Sequence, residues 1–245
     1  MRGSEYVARG LAGSILNIAS IDIGRSALIE ARAPAALVVL AGLPVVQGDV
    51  RAAQYVAGAM SRISSTPAGQ NSLIDAHAST ALVVLAGLPV VLDNALAAQS
   101  VALAFFNIAS SPACLNSLLE ARAPSSLVAL AGSPAVQGHA GAVQTIAAAI
   151  VRISSTDAGK AACIVALAPA ALILLAGLPT AQGSAAAARQ VALAIVAIAS
   201  CGVGKAAFNA ASARAVLTLL ADQPAVVADA AAAQDVARAL QCFSP

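Results

Sequence analysis

Side chains able to do chemistry are sparse in this chain: two histidines, His77 and His139, four cysteines, Cys114, Cys163, Cys201 and Cys242, and 11 Asp or Glu residues. Metal ligation and disulfide frameworks need Cys or His at defined mutual spacing, and these cysteines form no CxxC and no regular ladder. They read as small buried apolar side chains in a reducing compartment. No glycine-rich phosphate loop, no carboxylate pair on a common face and no Ser, His and acid set is present. The expectation is a protein that is not an enzyme, with no metal and no cofactor. What recurs instead is hydrogen-bonding chemistry: Arg9, Gln54, Gln99, Gln144, Arg189 and Gln234 stand 45 residues apart. Gln offers both a donor and an acceptor, so such a ladder suits the main chain of an extended partner or the carbonyls of a neighbouring repeat, and both readings stay open. Arg51, Tyr55 and Arg62 share one helical face, a mildly basic patch that reads as a binding hot spot or as a solvated edge.

The same 45-residue interval organises the whole chain. "LAGLP" at Leu40–Pro44 returns at Leu85–Pro89 and Leu175–Pro179, and as "LAGSP" at Leu130–Pro134. The frame divides the chain into a partial repeat 1–20 and repeats 21–65, 66–110, 111–155, 156–200 and 201–245, with no linker and no domain boundary within 1–245. Self-similarity at this period marks a stack of supersecondary units, each burying its apolar face on the next. Within a unit, Thr66 or Ser111 followed by Pro67 or Pro112 predicts the start of a short first helix, ending near Ala31, Ala76 or Ala121. Arg32, His77 and Arg122 follow, placed to cap its last carbonyls. A short second helix, as in "PAALVVLAG", is predicted to stop at Gly42 or Gly87 and then Pro44 or Pro89. The third and longest helix begins after a turn at Asp49, Asn94, Ser184 or Asp229, with His139 in the same slot. Alternation of period two is missing, so strands are not expected.

Composition sets the remaining bounds. The chain of 245 residues is 60% hydrophobic and 10% charged, with a formal net charge of +2. Its basic residues form no run or stripe that would track a phosphate backbone, which argues against nucleic acid. Mean hydropathy is +0.86. The uncharged stretch 161–188 is nevertheless interrupted by Pro169, Gly177, Pro179 and Gly183, and equivalent stretches carry Glu120, Arg122, Asp75 or His77. No membrane span is therefore expected. The N-terminus has no apolar h-region, so no signal peptide is visible, and the expected location is cytoplasmic or another reducing compartment.

Three helices in a unit of this length fall in the armadillo and HEAT range. "LIDAHASTALVVLAGLP" (Leu73–Pro89) resembles the armadillo passage from helix 1 to helix 2, and "AAQSVALAFFNIAS" (Ala97–Ser110) resembles its helix 3. The resemblance covers the whole chain and implies an all-α fold, a right-handed α-solenoid (α-α superhelix) of armadillo-like three-helix repeats. Three departures stand out. The unit is about three residues longer than the usual repeat. The Gly between helices 1 and 2 is replaced by Arg32, His77, Arg122, Leu167 and Ser212, and the groove Trp is absent. In armadillo proteins the third helices line a concave groove, where an Asn near each helix end bonds the backbone of an extended peptide. Carried over by position, that slot holds Asn17, Arg62, Asn107, Arg152, Ala197 and Cys242. The Trp slot holds Gly13, Gly58, Leu103, Ala148, Leu193 and Arg238, so no aromatic pocket is expected there. The resemblance implies a non-catalytic scaffold holding a protein or peptide segment. The alternative is a structural subunit of a larger assembly, packed end-to-end or laterally against other subunits. An engineered repeat protein is permitted by the regular frame, although the drift between units argues against it.

Overall fold

A computed structural model describes residues 2–243. Among the described residues there are 21 α-helices and no strand. The long helices are α1 (Arg2–Ile18), α5 (Val50–Ile63), α9 (Ala95–Ile108), α13 (Ala140–Ile153), α17 (Ala185–Ala199) and α21 (Ala230–Gln241). Between them lie the first helices α2 (Asp22–Glu30), α6 (Pro67–Asp75), α10 (Pro112–Glu120), α14 (Asp157–Val165) and α18 (Gly202–Ala210). The second helices are α3 (Ala33–Gly42), α7 (Ala78–Ala86), α11 (Ala123–Gly132), α15 (Ala168–Ala176) and α19 (Ala213–Ala221). Each repeat also has a one-turn helix: α4 (Pro44–Gln47), α8 (Pro89–Leu92), α12 (Pro134–Gln137), α16 (Pro179–Gln182) and α20 (Pro224–Val227). The connection from the second to the third helix, expected from the sequence as a turn, is thus a helical turn opened by Pro, whose fixed φ and missing N–H suit a first helical position.

Local chemistry sets the helix starts. The hydroxyls of Thr66 and Ser111 accept from the N–H of Gly69 at 3.1 Å and of Cys114 at 3.3 Å. Asn94 Oδ1 accepts from the Ala97 N–H at 2.9 Å, and His139 Nδ1 from the Ala142 N–H at 3.1 Å. One expectation about helix ends is borne out and one is corrected. The second helix ends where the sequence places its stop, Gly42 closing α3 and Gly87 capping α7, although no glycine among the described residues has positive φ. The second helix stops because Leu43 and Leu88, each before a Pro, are held extended. Conversely, Arg32, His77, Arg122, Leu167 and Ser212 all sit in the left-handed region, at φ between 56° and 64°. Their backbone N–H groups satisfy the first helix, as in His77 to the Ile74 carbonyl at 2.8 Å, and the side chains of Arg32 and His77 make no cap bond.

The chain divides into two compact units, Met1–Ser126 and Leu127–Pro245. In the first, long helices α1, α5 and α9 lie side by side, with α3 beside α7 and α2 beside α6. In the second, α13, α17 and α21 do the same. Alanine permits the close approach: Ala52, Ala53, Ala57 and Ala59 of α5 are fully buried together with Val56, Met60 and Ile63. The equivalent Ala97, Ala98, Ala102 and Ala104 of α9 are buried with Val101 and Phe105. Each inner long helix is therefore covered on two sides, leaving one stripe accessible. Among the described residues no single helix is long and apolar enough to cross a membrane, and α14 and α15, the apolar pair, are bent by 76°.

Candidate functional site

The accessible stripe falls on the same slots in every long helix. On α5 it comprises Arg51, Gln54, Tyr55, Gly58 and Arg62, spaced three, four or seven apart so that they face one way. Forty-five residues on, it comprises Leu96, Gln99, Ser100, Leu103 and Asn107 of α9. In the second unit it runs through Gln144, Thr145 and Arg152 of α13, and Arg189, Gln190 and Leu193 of α17. All ten sequence-predicted site residues lie on this stripe: Asn17, Arg51, Arg62, Arg152 and Arg189 are exposed, and Gln54, Tyr55, Gln99, Gln144 and Asn107 are half-buried.

Their bonds divide them. The Arg9 guanidinium crosses from α1 to Asp49, the cap of α5, with Nε 2.9 Å from Oδ2. Arg189 reaches Asp235 of α21 in the same way, Nε to Oδ2 at 2.9 Å. These two ladder positions tie one long helix to the next. Asn107 also works between helices: its amide donates to the Ser61 carbonyl at 3.0 Å and the Ser61 hydroxyl at 3.1 Å. Its own carbonyl accepts from Gln70 Nε2 at 3.3 Å. Arg51 and Arg62 are different, since among the described residues no carboxylate pairs with either.

In the first unit the stripe holds a hollow of about 430 Å³ lined by Tyr6, Arg9, Gly10, Gly13, Ser14, Leu16, Asn17 and Tyr55. The glycine in the vacant Trp slot explains it. A Cβ at Gly13 would stand 3.3 Å from Tyr55 Cδ2, and a Cβ at Gly58 would stand 3.3 Å from Leu16 Cδ1. Each helix thus offers a notch to the other's large side chain. The expectation of no aromatic pocket is corrected here: Tyr55 lies over Gly13, and Tyr6, with the Arg9 guanidinium 5.6 Å from its ring centre, closes the other wall. The two rings come from different slots of neighbouring helices, outside the Trp slot on which that expectation rested; the sequence places both tyrosines on this side, eleven and seven residues before Asn17 and Arg62.

Electrostatically, burial pushes the Asp49 carboxyl up, but the hydrogen bonds from Arg9, Ala52 and Arg51 outweigh it and hold the group below its usual value. The hydrogen bond to Asp49 raises Arg9. Among the described residues no three His, Cys, Asp or Glu side chains converge as metal ligands. Burial lifts the Cys163 thiol to about 11, despite the Ser154 hydroxyl at 3.4 Å, which leaves it a poor nucleophile. The stripe offers amides, cations and phenolic rings, the donor, acceptor and aromatic chemistry of recognition.

No family model matches the sequence, and no curated protein matches it. Solved structures do. An engineered protein superimposes with a TM-score of 0.79 at 25% identity, over 96% of this chain and 90% of that one. A computationally designed armadillo repeat protein for modular peptide recognition gives 0.76 at 23% identity, over 95% and 92%. A designed armadillo repeat protein in complex with the peptide (KR)4 gives 0.74 at 24% identity, over 95% and 91%. The chain has the armadillo-type repeat fold, an all-α solenoid architecture.

Proposed function

We propose that this protein is a non-catalytic scaffold that holds an extended segment of a partner protein along the face formed by its long helices. One observation carries the reading: the stripe left accessible repeats slot for slot, with amide side chains such as Gln54, Gln99 and Gln144 at a 45-residue period. An extended chain advances about 3.3 Å per residue, so regularly placed amides suit its repeating backbone groups. Peptide recognition by designed proteins of this fold supports it. The reading excludes nucleic acid, because the arginines of the long helices stand at most two to a helix, with none on α9, and form no continuous stripe; the four free cysteines suit a reducing compartment. The test is a photo-crosslinking residue in place of Tyr55 or, as control, Leu219, which is 60% exposed on a second helix. Peptides selected against the protein should crosslink from position 55 alone. Equal crosslinking from position 219 would defeat the reading.

A second reading, a subunit packed into an assembly, has its own observation. On α1, Val7 is 70%, Leu11 48% and Ile18 44% exposed, whereas the equivalent Ala52, Val56 and Ile63 are fully buried. Apolar surface belongs under a neighbour. Sedimentation of Leu11→Glu beside the parent separates the readings: an assembly subunit falls from oligomer to monomer, and a free scaffold is monomeric in both.

A further inference from the structure

Charge is segregated in this chain. The six long helices hold seven arginines, Arg2, Arg9, Arg51, Arg62, Arg152, Arg189 and Arg238, against two carboxylates, Glu5 and Asp235. With the capping Asp49 and Asp229 added the balance is still seven against four, although the formal net charge of the whole chain is only +2. The remaining elements are therefore net acidic. Within the first unit the bias is sharper, because Arg9 is committed to Asp49, and Arg51 and Arg62 are left exposed without an acidic partner among the described residues. Arg51 also breaks a local rule. It stands in the first turn of α5, at the positive end of the helix dipole, where a cation costs stability. No other long helix has a basic residue in that slot, which elsewhere holds Tyr6, Leu96, Gly141, Ala186 and Ala231. A residue placed against its local preference and left unpaired points to something outside the fold.

We infer that the occupant of this face is an extended peptide rich in Asp and Glu, with carboxylates meeting Arg51 and Arg62 and its backbone lying across Gln54 and Tyr55. The inference rests on the peptide-scaffold reading and narrows it. Arg51 and Arg62 lie eleven residues apart, at opposite ends of α5 and about 16 Å apart along its axis, so an extended strand crossing the helix between them, its side chains alternating to either side, presents a carboxylate to each. Guanidinium groups bind carboxylates through paired donors, so two such anchors fix a peptide's register while the amides hold its main chain. The same stripe repels a basic peptide, the opposite of the preference implied by the (KR)4 complex of the designed protein of like fold.

The experiment is fluorescence anisotropy of the full chain with dye-labelled (DE)4, (SG)4 and (KR)4. (DE)4 is expected to bind at least about tenfold more tightly than the other two, and to weaken when salt is raised from about 50 to about 300 mM. Double reversal R51E/R62E should lose (DE)4 and gain (KR)4 with an unchanged circular dichroism spectrum. Reversal K205E/R214E, with the same change in net charge away from the long helices, should leave (DE)4 within about twofold, as remote surface charges do. Tighter or equal binding of (SG)4 or (KR)4 on the stripe overturns the acidic preference and leaves the scaffold reading intact. Binding by none of the three overturns both. Equal weakening by K205E/R214E shows diffuse attraction and overturns the inference.

Discussion

Ser212 offers a clean test of the backbone account. It is held at φ 59° and ψ 36° between α18 and α19, a left-handed conformation that an L-residue adopts at a cost of roughly 1–2 kcal/mol. Glycine there carries no such cost but has a backbone-entropy handicap of about 0.5–1 kcal/mol. The serine side chain is exposed and makes no cap bond, so little burial is lost, and the N–H bond to the Asn209 carbonyl at 3.1 Å is retained. Ser212→Gly is therefore expected to stabilise the protein by about 0.5–1 kcal/mol, a rise of about 1–4 °C in Tm for a chain of this size. Ser212→Val, β-branched at positive φ, should destabilise by about 1 kcal/mol or more. Guanidinium titration followed by circular dichroism measures both, as a shift in midpoint at constant slope. A destabilised Ser212→Gly beside a neutral Ser212→Val would refute the reasoning, and with it the claim that these five residues are the chain's substitutes for glycine.

Other perturbations separate structure from binding. At Gly69 a Cβ would lie 1.9 Å from the Ile63 carbonyl oxygen, so Gly69→Ala should cost about 1–3 kcal/mol, whereas Gly10→Ala, with nothing within 4 Å, should gain about 0.5–1; thermal melts decide. Asn107→Ala removes the donor to the buried Ser61 hydroxyl and one of two donors to its carbonyl, which keeps the Ser64 hydroxyl, and should cost about 1–3 kcal/mol, while Asn17→Ala, exposed beside the Tyr6–Tyr55 hollow, should change stability by less than about 0.5 and weaken peptide binding; denaturation and anisotropy run together distinguish them. Asp49 is depressed in the folded state, so its stabilisation is present above the unfolded carboxylate value of about 3.9 and is lost as pH falls through its lower folded value. Arg9→Met removes a principal cause of that depression, and its urea midpoint should fall less steeply than the parent's between about pH 4 and about pH 2; coincident curves would show that the ion pair is not coupled to folding.

The repeat frame, the helix caps at Thr66, Ser111, Asp49 and Asn94 and the all-helical class were legible because they depend on residues close in sequence. Four-residue helices such as α4 were not, because a single turn is too short to carry a hydrophobic period. The left-handed positions were visible as departures from Gly at Arg32, His77 and Leu167, but the sequence carries no direct mark of φ. What escaped reading in the site depends on contacts between repeats. Arg9 meets Asp49 across 40 residues, and Asn107 turns its amide to Ser61 across 46, only because neighbouring long helices lie side by side. The hollow between Tyr6 and Tyr55 likewise belongs to two helices at once. One repeat aligned on the next shows equivalent slots; the neighbour that fills a slot's space is set by packing.

Amide resonances recorded while an acidic peptide is titrated into the isotope-labelled protein test the central claim most directly. The shifts should concentrate at Asn17, Arg51, Gln54, Tyr55 and Arg62, with Val39 and Leu219 on the second helices unmoved. Shifts confined to the second helices, or spread evenly over the chain, would contradict a partner held along the long helices.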